Sequence, residues 1–260
     1  MPEEAPRSLG APDGWVFDTD GVITRTAEVH RAAWAVTFDE FLARTAADQR
    51  PFSDEDYLAF VDGRPRYDGV AGFLASRGLD LPTGSPDDDP GAPTVCGLGN
   101  AKNTAFVAVL ARDGVQAYAS TVALVRRLRG LGVVVAAVSA SRNQAAVLDA
   151  AGLGDAFDVR VDGVMAEQLG LAGKPDPALF LEGARRLGLP PDRVAVVEDA
   201  RSGVEAGRRG GFAPVIGVDR HSQAAELRSA GADWVVEDMS LLEVLPDRSV
   251  RPAGRPQETS

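Results

Sequence analysis

Three apolar runs, each ending abruptly in a polar residue and each followed by a helical pattern, restrict this chain more than any other feature. They are Trp15-Val16-Phe17 before Asp18, residues 133–138 before Ser139, and residues 194–197 before Glu198. A strand with one wet face alternates apolar and polar residues, whereas a strand covered on both faces reads as an unbroken apolar run. Val-rich runs separated by helical stretches therefore predict an α/β fold with an open parallel sheet and helices on both faces. Further strands are expected at 214–218 and 234–236, with helices at 144–151, 177–187, 204–209 and 223–230. In such sheets the ligand sits beyond the carboxyl ends of the strands. Asp18, Ser139 and the Glu198-Asp199 pair all fall at that edge.

More than a hundred residues separate the first run from the second, far beyond a crossover loop. That segment is expected to form a domain of its own, a helical cap over 28–112 inserted into a core made of 11–27 and 113–246. Its opening stretch, 27–43, carries Val29, Ala32, Ala33, Val36, Phe38 and Phe41 at mixed helical spacings, as a helix held by tertiary contacts does. Residues 81–94, with four prolines and the acid run Asp87-Asp88-Asp89, read as an irregular solvated loop rather than a metal site. The polar or Pro-rich ends, 1–10 and 247–260, are expected to be flexible tails.

Composition narrows the partners. A net charge of −11 argues against broad binding to nucleic acid or to anionic membranes, both of which need basic surface. No apolar run approaches the roughly 20 residues of a membrane span, and the acidic, Pro-containing start does not resemble a secretion signal. The sole cysteine, Cys96, has no partner for a disulfide and no companion at metal-ligand spacing, as suits a small buried residue in a reducing, cytoplasmic compartment.

The strongest local signal is Val16-Phe17-Asp18-Thr19-Asp20-Gly21-Val22, in which two carboxylates leave a buried strand two residues apart at a turn that Gly21 permits. One carboxylate can attack while the other moves a proton. An anion attacking a phosphate is opposed by charge, so a divalent cation and fixed positive groups are required. Alone, such a pair is equally a turn or cap after a strand. The remaining parts lie at other strand ends. Ser139 can donate to a phosphoryl group, and Ser141-Arg142-Asn143 opens a helix. Lys174 stands in Gly173-Lys174-Pro175 before another helix, and Glu198-Asp199 offers hard carboxylate oxygens.

Together these motifs resemble the four signatures of the haloacid dehalogenase superfamily, and the stretch 17–30, with Trp34 beyond it, is similar to the opening of its β-phosphoglucomutase-like members. The resemblance implies a Rossmann-like core with an inserted α-helical cap and an aspartyl-phosphate intermediate. It implies Asp18 as nucleophile and Asp20 as acid/base, with Mg²⁺ held by Asp18, the Asp20 carbonyl, Glu198 and Asp199. Ser139 and Lys174 would hold the transferring phosphoryl group. Ser141, Arg142 and Asn143, together with Arg66 and Lys102 of the cap, would take a second phosphate, and His30 would couple Asp20 to the cap. Arg25 stands where familiar members carry an acid, Arg142 replaces a lysine, and residues 52–103 are only loosely similar, which bears on the choice of sugar.

The function implied is Mg²⁺-dependent phosphoryl transfer on a small phosphorylated sugar by a monomer. A mutase interconverting β-glucose 1-phosphate and glucose 6-phosphate would use a sugar bisphosphate as activator and intermediate. A sugar-phosphate phosphatase would use the same core, and a non-catalytic sugar-phosphate-binding protein is the third reading.

Overall fold

The computed structural model describes residues 8–61 and 64–253. The chain divides into two compact units, Met1–Arg25 with Gln116–Ser260 and Thr26–Val115. The first unit is built on six parallel strands: β1 (Gly14–Asp18), β2 (Val134–Val138), β3 (Val159–Val161), β4 (Val194–Glu198), β5 (Val215–Val218) and β6 (Trp234–Val236), in the order β3-β2-β1-β4-β5-β6. Because β1 lies between β2 and β4, the connections leave it in opposite directions. That is the switch point at which open α/β sheets form their ligand crevice. The register aligns Asp18 with Val138 and Phe17 with Val197, so the loops after β1, β2 and β4 start at one level.

Neighbouring residues of β1 serve opposite faces, as the strand period of two requires. Trp15 and Phe17 join an apolar layer with Leu124 and Leu128 of α5 (Ala119–Gly130) and Leu148 of α6 (Gln144–Ala150). Val16 joins the opposite layer with Phe180 of α8 (Ala178–Leu187), Val204 of α9 (Arg201–Arg209) and Leu227 of α10 (Ala224–Ser229). A short helix, α7 (Gly163–Leu169), follows β3 and is capped by the Asp162 side chain on the Met165 amide. At about 1.5–3 kcal/mol for each large apolar side chain buried, these two layers hold the strand ends in place.

The second unit contains α1 (Thr26–Thr45), α2 (Asp54–Asp56) running into a π-helical turn at Tyr57–Val61, α3 (Arg66–Ser76) and α4 (Val95–Asp113). Its core is aromatic: Trp34, Phe38, Phe52 and Phe73 pack with Leu98, and the Phe38 and Phe73 rings lie 4.0 Å apart. Of the residues that suggested α1, Val29, Ala33, Phe38 and Phe41 are buried. Val36 is 37% exposed, since it lies on the helix side away from Trp34 and Phe38. Cys96 is buried near the start of α4. The loop before α4 is ordered by its own acids, Asp88 accepting from the Ser85 amide and the Thr94 hydroxyl. No described helix is long and apolar enough to cross a membrane.

Residues 242–252 form an antiparallel hairpin, β7 (Leu242–Val244) with β8 (Val250–Pro252), and Val250 is fully buried. Leu9 donates to the Val250 carbonyl, and the Val250 amide donates to that of Gly10. Of the tails expected at 1–10 and 247–260, residues 8–10 and 247–253 thus take part in backbone pairing and turns, and the remaining parts lie outside the described residues. Within the hairpin, Leu242, Val244 and Val250 are the buried positions. Gly63, which opens the stretch Gly63-Arg64-Pro65-Arg66, also lies outside the described residues.

Candidate active site

Asp18 is the last residue of β1 and is buried. The turn after it is closed by the Ile23 and Thr24 amides on the Thr19 carbonyl and by the Gly21 amide on that of Thr24. Thr19 is anchored through its side chain, which donates to the Val138 carbonyl and accepts from Gln144. Gly21 has φ +78°, and a Cβ there would lie 1.9 Å from Asp199 Oδ2. Only glycine meets both the left-handed backbone and the close approach of that carboxylate.

Lys174 Nζ donates to Asp18 Oδ1 at 2.5 Å and to Glu198 Oε2 at 2.6 Å. One oxygen from each of Asp18, Glu198 and Asp199 lies within 4.8 Å of the others. One ammonium offsets only part of three carboxylates in a buried place. Burial first, then repulsion from Glu198, pushes the Asp18 carboxyl well above its ordinary range even against Lys174. Burial likewise raises Glu198, and burial with the charge of Asp18 pushes Asp199 up to about 7. Burial opposes the Lys174 ammonium as well, but the Asp18 and Glu198 charges outweigh it and hold that proton more tightly than usual. A cluster of hard oxygens short of positive charge fits a divalent cation of the Mg²⁺ type. The group does not include the Asp20 side chain, whose Oδ2 accepts from the Ser139 hydroxyl at 3.2 Å.

The loop after β2 brings its predicted residues into a chain of donors: the Ser141 amide donates to Ser139 Oγ, and the Asn143 amide to Ser141 Oγ. The exposed guanidinium of Arg142, between Ser141 and Asn143, pairs with Glu167 of α7. In the second unit, Lys102 Nζ lies 2.6 Å from His30 Nδ1 and about 5 Å from the Trp34 and Phe106 rings. An ammonium donating to Nδ1 requires the neutral tautomer with its proton on Nε2. Arg66 donates to Asn103, the neighbour of Lys102 on α4. The structure therefore groups the predicted residues of each unit by itself: Asp18, Asp20, Ser139, Lys174, Glu198 and Asp199 in one, and His30 with Lys102 in the other.

Sequence reasoning missed the residues behind this constellation: Gln144, Gln223, which donates to the Asp199 carbonyl, and Arg220, which donates to that of Gly21. It also passed over a compositional signal. The chain has 25 arginines and two lysines, and both lysines are at these sites.

A parallel sheet with a buried carboxylate, a paired ammonium and an acidic cluster at its switch point has the make-up of a phosphoryl-transfer hydrolase core. The haloacid dehalogenase-like hydrolase family model matches residues 12–211, and the chain belongs to that family, on its β-phosphoglucomutase-like branch. It is 45% identical to the β-phosphoglucomutase of Mycobacterium tuberculosis over 252 residues, 93% of this chain and 96% of that one. The trehalose-phosphate phosphatase of Mycobacterium leprae is 40% identical over 124 residues, 46% of this chain and 27% of that one. Among solved structures, the β-phosphoglucomutase of Clostridium difficile superposes with a TM-score of 0.68 at 21% identity, over 89% of this chain and 93% of that one.

Proposed function

We propose that the chain is a Mg²⁺-dependent phosphoglucomutase-type enzyme that interconverts β-glucose 1-phosphate and glucose 6-phosphate through a phosphorylated Asp18. The observation that carries this reading is the different surroundings of two aspartates two residues apart. Asp18 is held by Lys174 beside two further acids, whereas Asp20 is hydrogen-bonded to Ser139. Environments that separate two carboxylates in this way separate their roles. Asp18 Oδ attacks phosphorus, and Asp20 gives its proton to the departing sugar oxygen. In the second half-reaction Asp20 takes a proton from the sugar hydroxyl that attacks the phosphoaspartate. Lys174 offsets charge on Asp18 and on the transferring oxygens, and the Ser139 hydroxyl serves the same group. Asp18, Glu198 and Asp199, with the Asp20 carbonyl, would hold Mg²⁺, which when bound neutralises charge between nucleophile and phosphate.

The mutase requires cations for a second phosphate, and Lys102 and Arg66 of the unit Thr26–Val115, read as the cap, are the residues proposed for it. Ser141, Asn143 and Arg142 belong to the same proposed role. Similarity to a mutase over 93% of the chain supports this choice. The phosphatase similarity, confined to 46%, supports the alternative in which water takes the place of the second sugar hydroxyl.

The test is a coupled assay for glucose 6-phosphate, run with α- and β-glucose 1-phosphate after priming by the bisphosphate and with phosphate release followed in parallel. The β anomer should be consumed with little phosphate release, and Asp18→Ala should abolish turnover. Rapid phosphate release without the 6-phosphate would establish the hydrolase, and activity in Asp18→Ala would remove the nucleophile.

A further inference from the structure

The turn that carries Asp20 is held from outside at three consecutive carbonyls. Ile23 accepts from the Tyr118 amide at 2.9 Å, Val22 from the Thr121 hydroxyl at 2.8 Å, and Gly21 from Arg220 Nε at 2.8 Å. Arg220 lies after β5, 199 positions from Gly21. Its Nη1 also donates to the Glu237 carbonyl at 3.1 Å, and its guanidinium carbon lies 3.6 Å from the Tyr118 ring centroid. Arg25 approaches the same ring at 4.7 Å. A planar guanidinium that is stacked and hydrogen-bonded at two edges has little rotamer freedom left to lose, and charge-assisted bonds are about twice as strong as neutral ones.

Gly21 needs such a hold. Glycine populates positive and negative φ about equally, so the residue that allows Asp199 to approach brings no backbone preference to fix its own carbonyl, while its amide is held by the Thr24 carbonyl. We propose that Arg220 is a positioning residue for proton transfer: by fixing the Gly21 carbonyl against Tyr118 it sets the direction of the Asp20 carboxyl. This inference rests on the acid/base role given to Asp20 above. In the step concerned, a bond forms between Asp18 Oδ and phosphorus while the bond from phosphorus to the leaving oxygen breaks. The electron pair stays on that oxygen, which takes the Asp20 proton. A sugar oxygen needs that proton, whereas p-nitrophenolate leaves without one.

The experiment compares first-turnover product release from β-glucose 1,6-bisphosphate and from p-nitrophenyl phosphate in the parent, Arg220→Ala, Arg220→Lys and Asp20→Asn proteins. Because a misplacement near 1 Å costs about 10²-fold and general acids supply about 10²–10⁴-fold, Arg220→Ala should slow the sugar donor by about 10–100-fold and the aryl donor by less than about 3-fold. Arg220→Lys, which keeps the charge but cannot make both hydrogen bonds and the stack, should lose most of the same activity. Hydrogen exchange should quicken in Arg220→Ala at the Gly21, Ile23 and Thr24 amides. Equal slowing of both donors, parental activity in Arg220→Lys, or unchanged exchange at those amides would overturn the proposal. If Asp20→Asn shows no preference between donors, the acid role of Asp20 fails instead, and the exchange measurement alone decides whether Arg220 holds the turn.

Discussion

Gly203 lies within α9, where general helix propensity favours replacement by alanine by about 1 kcal/mol. The structure reverses that sign. A Cβ at Gly203 would lie 2.1 Å from the Glu198 carboxyl carbon and 2.2 Å from its Oε2. Glu198 cannot turn aside without loss, because Oε1 accepts from the Ala200 amide and Oε2 from Lys174. The carboxylate would have to retreat by roughly 1.3–1.9 Å to restore ordinary contact. Overpacking of that kind costs about 1–3 kcal/mol, and a weakened bond to a charged group about 1.5–3 more. After the gain in helix propensity, Gly203→Ala should be about 1.5–5 kcal/mol less stable, and at about 2–4 °C per kcal/mol its Tm should fall by roughly 3–20 °C. Displacing one of three candidate ligands should also weaken Mg²⁺ binding by about 10-fold or more. Scanning calorimetry with and without saturating Mg²⁺ measures both effects. Gly130→Ala, at the end of α5 where a Cβ meets nothing within 4 Å, is the control and should gain stability. A Gly203→Ala protein at least as stable as the parent, with an unchanged response to Mg²⁺, would refute the packing of Glu198 against α9.

Two further outcomes concern stability away from the cluster. Asp56, nearly buried in the second unit, accepts from Arg50 and from the buried Arg77; burial raises its carboxyl, but the bonds from those arginines outweigh it and leave it below its ordinary value. Asp56→Ala leaves the Arg77 charge without its carboxylate and should cost about 3 kcal/mol, read as a lower urea midpoint or faster proteolysis within Thr26–Val115. Glu182 on α8 is lowered to about 2, first by the Arg185 hydrogen bond and also by Arg186. A carboxyl depressed in the folded state stabilises above its unfolded value and loses that contribution as pH falls from about 4.5 towards 2. Glu182→Gln should therefore lose less stability than the parent between about pH 6 and pH 3, and equal acid sensitivity in the two proteins would discount the pair.

The parts of this molecule that were legible in advance share a physical cause. A strand buried on both faces has no freedom to carry polar residues, so β1, β2 and β4 announced themselves, and the polar residue after each had to lie at the sheet's rim. Strand β3 escaped notice because it is three residues long and includes Arg160, and the β7–β8 hairpin because its inward positions are few. The site divided in the same way. Asp18, Ser139, Lys174 and Glu198 follow directly from strand or helix ends, whereas Arg220 and Gln223 act on carbonyls of distant loops and carry no local pattern.

One compositional cue did reach the site and concerns chemistry rather than fold. Where a cation merely solvates a surface, arginine and lysine serve alike, and this chain uses arginine 25 times. Lys174 must bring a compact charge within 2.6 Å of two carboxylates, and Lys102 must fit beside His30 with Trp34 and Phe106 near it. A guanidinium is broader, planar and fixed in the direction of its donors, so neither place accepts it without rearrangement. In a sequence that otherwise carries its positive charge on arginine, the two lysines mark geometry that suits an ammonium. The same reasoning runs in reverse at Arg220, where the stack on Tyr118 and the two separate carbonyls call for the planar group.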